Sequence, residues 1–239
     1  IEYADKGLRR VAVGEHLMLG GDNLDISLAY LVEPRLGSKL DILQWGVLRN
    51  ECRRAKELLL GDDPPDKVTV TVPGSGSKLL AGTMQADLSR TEVEKLVLDG
   101  FFPVVPIEEP LQAERRMGFK EWGLPYASDP AVPRHLSSFL RRHGRKDNIP
   151  NKILFNGGAC RALAIRQRML HILENWRGGP VEELPNPESD LSVARGAAYY
   201  GHLKRSGARR IGGGIARSYY LQLSSDGTST QALCVVPRN

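Results

Sequence analysis

Apolar residues alternate with polar ones at the start of the chain, with Val11 and Val13 and then Leu17 and Leu19 at strand-like spacing before Gly20-Gly21-Asp22. The spacing then becomes helical. Leu24, Leu28, Leu31 and Val32 follow at one-turn intervals, Asp22 is the expected N-cap, and Pro34 and Gly37 close the run. A longer helix is predicted from about Asp41, with Leu48, Cys52, Ala55 and Leu59 on its buried face and Arg53, Lys56 and Glu57 on other faces. Gly61 and Pro64-Pro65 break it.

Val68, Val70 and Val72 alternate with Thr69 and Thr71, and a Gly-Ser turn leads to a second strand through Leu79, Leu80 and Met84, which together predict a hairpin. Ser89-Arg90-Thr91-Glu92 has the form of a capping box for a short helix carrying Val93, Leu96 and Val97, with Gly100 as its stop. Six prolines between Pro103 and Pro133 and few periodic signals mark this stretch as a long ordered loop or an insertion, with Asp129-Pro130 capping the next helix. A strand at Ile153-Leu154-Phe155 then runs into Asn156-Gly157-Gly158 and a helix bearing Leu163, Met169, Leu170, Leu173 and Trp176. After a brief strand from Val181 to Leu184 and a Pro185-Asn186-Pro187 turn comes an Asp190-capped helix. Its Ala194, Gly196, Ala197, Ala198 and Gly201 are small enough to let another backbone pack closely. From Ile211 the tail reads as a separate β piece, with strands around Leu221 and Val235 and a turn at Asp226-Gly227.

Composition narrows the class. With 41% hydrophobic and 26% charged residues, the chain has the balance of a globular protein with a sizeable core. It has no apolar run of membrane-spanning length and no secretory pattern at its start, so a soluble, cytoplasmic protein is expected. The opening without Met is taken as the edge of a piece cut from a longer protein. Cys52, Cys160 and Cys234 are too few and too widely spaced for a disulfide framework or a paired zinc site, and are read as free thiols. Basic groups at Arg141, Arg142, Arg145 and Lys146, and at Lys204, Arg205, Arg209 and Arg210, accompany the formal charge of +5. The first group sits where helix ends attract positive charge, and no interleaved aromatics accompany either group, so neither nucleic acid nor membrane is an expected partner.

The candidate chemistry lies at the glycine turns. A glycine pair leading into a helix lets a ligand approach the backbone while free amides and the helix dipole attract phosphate. Gly20-Gly21 and Gly157-Gly158 are both placed this way, and Arg161 follows the second pair with a planar fork suited to stacking on, or bonding to, a nucleotide. The alternative is that these glycines serve steric needs and Arg161 is an ordinary surface arginine. Gly74-Ser75-Gly76-Ser77-Lys78 lacks the spacing of a phosphate loop and is read as a hairpin loop. The histidines show no metal-ligand spacing, and Cys160 is read as a small packed residue.

Taken in order, several segments resemble the second lobe of the DnaK-type heat-shock chaperone ATPase, within the actin and sugar-kinase superfamily. They are Leu19-Gly20-Gly21-Asp22-Asn23-Leu24-Asp25, Cys52-Arg53-Arg54-Ala55-Lys56-Glu57, Ser89-Arg90-Thr91-Glu92-Val93-Glu94, Phe155-Asn156-Gly157-Gly158-Ala159-Cys160-Arg161 and Asp190-Leu191-Ser192-Val193-Ala194-Arg195-Gly196-Ala197-Ala198. The tail from Ile215 to Asn239 looks like the first strands of that family's peptide-binding domain. The resemblance implies an α/β fold, an actin-like ATPase lobe with a ribonuclease H-like mixed sheet and flanking helices. Residues 1–19 and 112–207 would form its base, 20–111 a smaller α+β upper subdomain and 208–239 the β tail. It also implies ATP or ADP with magnesium as the ligand, the metal held mainly by a first lobe. Adenine would lie between the Lys56 helix and the Gly157-Gly158 turn, with Arg161 over the base, Gly20 and Gly21 near the phosphates and Asp190 bracing the site. The implied partners are the first lobe and peptide-binding domain of the parent chain, together with a co-chaperone or nucleotide-exchange factor.

Departures accompany the likeness. Arg53 and Glu57 stand where the family commonly has an acidic and a basic residue, Ala159 replaces a hydroxyl residue, and Arg209-Arg210-Ile211-Gly212-Gly213-Gly214 replaces an acidic, leucine-rich linker. The family's two phosphate loops and catalytic lysine are expected upstream of Ile1, so this chain by itself is expected to hydrolyse no ATP. Two alternatives stand beside this reading: a degenerate lobe kept as a protein-interaction scaffold, and a fragment of a sugar or metabolite kinase of the same superfamily.

Overall fold

The computed structural model describes residues 1–4, 7–14, 16–74, 82–112, 129–143, 149–189, 191–207, 218–225 and 230–236. The chain forms two compact units, Met18–Ser192 and the combination of Ile1–Leu17 with Val193–Asn239.

In Met18–Ser192 the first helix, α1 (Gly21–Val32), starts within the glycine pair. Gly20 is the N-cap, and its N–H donates to Asn23 Oδ1 at 2.8 Å. Asp22 is therefore not the cap; an amide three residues into the motif does that work and leaves the Asp22 carboxylate available to α2. The second helix, α2 (Ile42–Leu59), begins as expected at Asp41, which accepts from the Gln44 N–H at 2.8 Å while Gln44 Oε1 accepts from the Asp41 N–H at 3.0 Å. Leu48, Cys52, Ala55 and Leu59 are all 0% exposed, as their spacing predicts. Lys56 is not on an open face: it is 5% exposed, because α1 presents a counter-charge to it.

Strands β3 (Lys67–Pro73) and β4 (Thr83–Ser89) form the predicted antiparallel hairpin, with Val70 opposite Ala86 and Val72 opposite Met84. Val70, Val72, Ala86 and Leu88 face the core built by α1 and α2. Leu79, Leu80 and the Ser75–Lys78 loop lie outside the described residues. Ser89 caps α3 (Arg90–Glu94), and the chain continues as a wider π-helical turn over Lys95–Phe101. Gly100 does not stop it: Val97, Leu98 and Phe101 are buried in the same core, and the extra turn carries Phe101 there.

Of the proline-rich stretch, residues 113–128 lie outside the described residues. Asp129, 3% exposed, joins its flanks by accepting from the N–H groups of Gln112 (3.0 Å) and Ala131 (2.9 Å). It is not the cap of α4 (Val132–Arg142), whose N-cap is Ala131 and whose first turn holds Pro133. Gly144, Arg145 and Lys146 are outside the described residues.

Strand β5 is shorter than expected, Lys152–Ile153, and pairs in parallel with β6 (Glu182–Glu183) across α5 (Leu163–Arg177). The Leu184 N–H closes the pair on the Ile153 carbonyl at 2.7 Å, so Leu154 and Phe155 run on as irregular chain. Ile165, Met169 and Ile172 carry α5 into the main core, while Leu140, Ile149, Leu173 and Val181 form a second, smaller cluster.

In the other unit, β1 (Glu2–Ala4) and β2 (Gly7–Arg9) pair antiparallel, and the alternation at Val11 and Val13 is not strand. Helix α6 (Ser192–Arg205) has no buried residue, and its Ala194, Gly196, Ala197 and Ala198 are exposed among the described residues. Strands β7 (Tyr219–Ser225) and β8 (Thr230–Val236) form a hairpin whose turn at Asp226-Gly227 is outside the described residues, as are residues 208–217.

The chain thus mixes helices and strands. Among the described residues every sheet has two strands, three antiparallel and one parallel, and the broad mixed sheet expected above is not assembled. No helix among the described residues is long and apolar enough to cross a membrane.

Candidate functional site

The folding of Met18–Ser192 brings three separated pieces of sequence to one place. A β-carbon built on Gly21 would lie 3.8 Å from Ala159 Cβ and 3.9 Å from Lys56 Nζ. The amino end of α1, the last turn of α2 and the turn after β5 therefore lie beside one another. Gly20 and Gly158 have nothing within 4 Å of where their β-carbons would stand, so their backbones are open to approach. Gly157 is different: its φ of +88° and ψ of 159° belong to a region reserved for glycine. Beyond it, Gly158–Arg161 makes one 3-10 turn, and α5 begins at Leu163.

The cations of α2 are held by the carboxylates of α1. Lys56 Nζ donates to Asp25 Oδ1 at 2.5 Å, Arg53 Nε to Asp25 Oδ2 at 2.7 Å, and Arg53 Nη2 to Asp22 Oδ1 at 2.5 Å. Asp25 is 0% exposed. A carboxylate withdrawn from water needs this double pairing, and two cations against two carboxylates leave the group formally neutral. Hydrogen bonding to Asp25, followed by its negative charge, raises the Arg53 pKa. Burial first and the Asp25 carboxylate second push the adjacent Cys52 thiol up to about 12, so it stays protonated. Burial likewise raises Cys160, against the smaller opposing effects of the Asn156 backbone and the Arg166 charge. Neither thiol is primed as a nucleophile.

On the other side of the turn lies a cavity of about 710 Å³, within the usual size range of small-molecule sites. Arg161, Cys160 and Phe155 line it from the turn, Arg166 from α5, Glu183 from β6, and residues 185–189 and Leu191 from the loop beyond. That loop is tied down by Asn186, whose Nδ2 donates to the Phe155 carbonyl at 2.9 Å and whose Oδ1 accepts from Ser192 Oγ at 2.9 Å. Asp190 lies outside the described residues, between the cavity-lining Ser189 and Leu191. Among the described residues no group of three or more His, Cys, Asp and Glu side chains can hold a metal ion.

The expected site residues thus fall into two neighbouring sets. Gly21 and Lys56 meet the Gly157-Gly158 turn at Ala159, whereas Arg161 faces the cavity, whose described lining contains none of Gly20, Gly21, Lys56, Gly157 or Gly158. Sequence reasoning overlooked the pairing of Asp22 and Asp25 with Arg53 and Lys56. The signal was present: two acids three apart on one predicted helix and two bases three apart on the next share a face on each. It also overlooked Arg166 and Glu183, which no spacing rule connects. No protein-family model matches the chain, and no curated protein matches it at a significant level.

Proposed function

We propose that the chain is the ATP- and ADP-binding second lobe of a DnaK-like molecular chaperone of the actin-like ATPase type. Adenosine is held between α2 and the Gly157-Gly158 turn, and phosphate is received at the Gly20-Gly21 end of α1. The observation that carries the proposal is the meeting of Gly21, Lys56 and Ala159, three positions that belong to the motifs resembling that family and lie far apart in the chain. Open space beside Gly20 and Gly158 supports it, because a glycine with no side chain lets a ligand come close to the backbone. The Lys56–Asp25 pair serves this site by locking α1 to α2, which fixes the glycine turn, rather than by offering a free charge. ATP hydrolysis draws on phosphate loops and a catalytic lysine of a first lobe, and magnesium arrives with the nucleotide. In this reading the protein works in the cytoplasm beside a peptide-binding domain and a nucleotide-exchange partner.

The test is a titration of the isotope-labelled chain with magnesium ADP, followed through its amide resonances. Shifts centred on Gly20, Gly21, Lys56, Gly157, Gly158, Arg161 and Asp190, lost in Arg161→Ala, are expected. The absence of any shift at millimolar ligand overturns nucleotide binding by this chain. That result favours a second reading, a lobe retained as a protein-interaction scaffold, to which the self-neutralised Arg53, Lys56, Asp22 and Asp25 group lends support.

A further inference from the structure

Arg166 stands one turn into α5, and its side chain folds back over the turn that precedes the helix. Its Nη1 donates to the Arg161 carbonyl at 2.7 Å and to the Cys160 carbonyl at 3.3 Å. Its Nε lies 2.9 Å from Glu183 Oε1 in β6, an ion pair without hydrogen-bond geometry. The side chains of Arg166 and Glu183 are 25% and 36% exposed, so the pair is only partly screened by solvent. One guanidinium therefore joins β6 to two consecutive carbonyls of the turn. Ala162, directly after the turn, is extended (φ −63°, ψ 118°), so Gly158–Arg161 is not continuous with the backbone of α5, and the Arg166 side chain supplies a link between them.

We infer that Arg166, oriented by Glu183, is a positioning residue that sets the conformation of the Gly157–Arg161 turn. Resting on the nucleotide reading proposed above, this makes it a determinant of ADP affinity that acts through the turn. Its planar fork reaches the carboxylate and both carbonyls together, which a single lysine ammonium cannot do. Arg166→Lys therefore behaves as Arg166→Ala. Glu183→Gln keeps an acceptor but loses the charge, and its effect is smaller.

The experiment compares the wild-type chain with Arg166→Ala, Arg166→Lys and Glu183→Gln, recording amide spectra without ligand and affinity for magnesium ADP. Loss of charge-assisted hydrogen bonds on this scale corresponds to about tenfold weaker binding for both Arg166 variants. Amide changes in the free protein should be confined to residues 156–163 and 182–184, with the α1, α2 and β3 resonances unmoved. Wild-type affinity in Arg166→Ala overturns the inference, as does rescue by Arg166→Lys or a spread of amide changes through the whole unit, the mark of a merely structural role. If the wild-type chain ignores magnesium ADP, the nucleotide reading and the affinity role fall together. Localised amide changes in Arg166→Ala would then still establish that Arg166 sets the turn, and unchanged turn amides would remove that as well.

Discussion

The chemistry of single positions in this chain depends on who faces them. Lys56 occupies a helix site that a solvent-exposed lysine could fill, yet its ammonium is 2.5 Å from a carboxylate with no exposure to water. Truncating it strands Asp25 with only the half-exposed Arg53 as partner. Lys56→Ala should therefore cost about 3 kcal/mol in urea unfolding, at the lower end for a broken buried pair because Arg53 remains. Arg53→Ala should cost clearly less. Equal and negligible effects of the two substitutions would show that the pair does not bind α1 to α2. The glycines divide just as sharply. Gly157→Ala forces a β-carbon into a backbone conformation reserved for glycine and should lower stability by about 1–3 kcal/mol. Gly158→Ala points its methyl group into open space and should leave stability nearly unchanged; under the proposed nucleotide function it should weaken magnesium ADP binding.

At the scale of elements, the short helix α3 shows how a local signal is reinforced by a distant one. The Ser89 and Glu92 box was legible from four residues, and the structure adds Arg35, whose Nη2 donates to Glu92 Oε1 at 2.6 Å. The Arg35 hydrogen bond, then the backbone and hydroxyl bonds of Ser89, hold the Glu92 pKa at about 2, below its usual 4.5. A depressed carboxylate stabilises the fold fully above its ordinary pKa, and that contribution is lost as pH falls from 4.5 through about 2. Wild-type protein should exceed Glu92→Gln in urea stability at pH 7, and the gap should narrow steadily below about pH 4.5. A gap independent of pH would assign the effect to the shape of the side chain rather than to its charge.

For the whole molecule, the distribution of buried side chains predicts where the chain opens. Leu24, Leu28, Leu48, Leu59, Val70, Val72, Leu88 and Ile172 share one core, whereas the described side chains of β7 and β8 are exposed. A two-stranded hairpin without a buried face is marginal in water, whatever its hydrogen bonds. Amide hydrogen exchange should therefore be slowest in α1, α2 and β3 and fastest, among hydrogen-bonded amides, in β7 and β8. Equal protection of the two sets would show that a partner surface covers the hairpin in solution.

By itself the sequence determined what depends on near neighbours along the chain. The faces of α1 and α2 follow from apolar spacing, the β3–β4 hairpin from alternation, and the cap at Ser89 from a residue and its third successor, because helix and strand periods place those groups together without help from the rest of the fold; on α5 that spacing found Met169 and Leu173 but not the fully buried Ile165 and Ile172. The glycine turns offered Gly20, Gly21, Gly157, Gly158 and Arg161 as candidates, and resemblance of short motifs added Lys56 and Asp190. Only the tertiary structure decided that Lys56 is charge-paired and buried, that Asn23 rather than Asp22 secures the start of α1, and that Phe101 draws the chain past Gly100. It alone placed Ala159 against Gly21 and Arg166 between Glu183 and the turn. These outcomes turn on charge pairing and burial between segments distant in sequence, whose energies depend on which surfaces meet, and no local period encodes that.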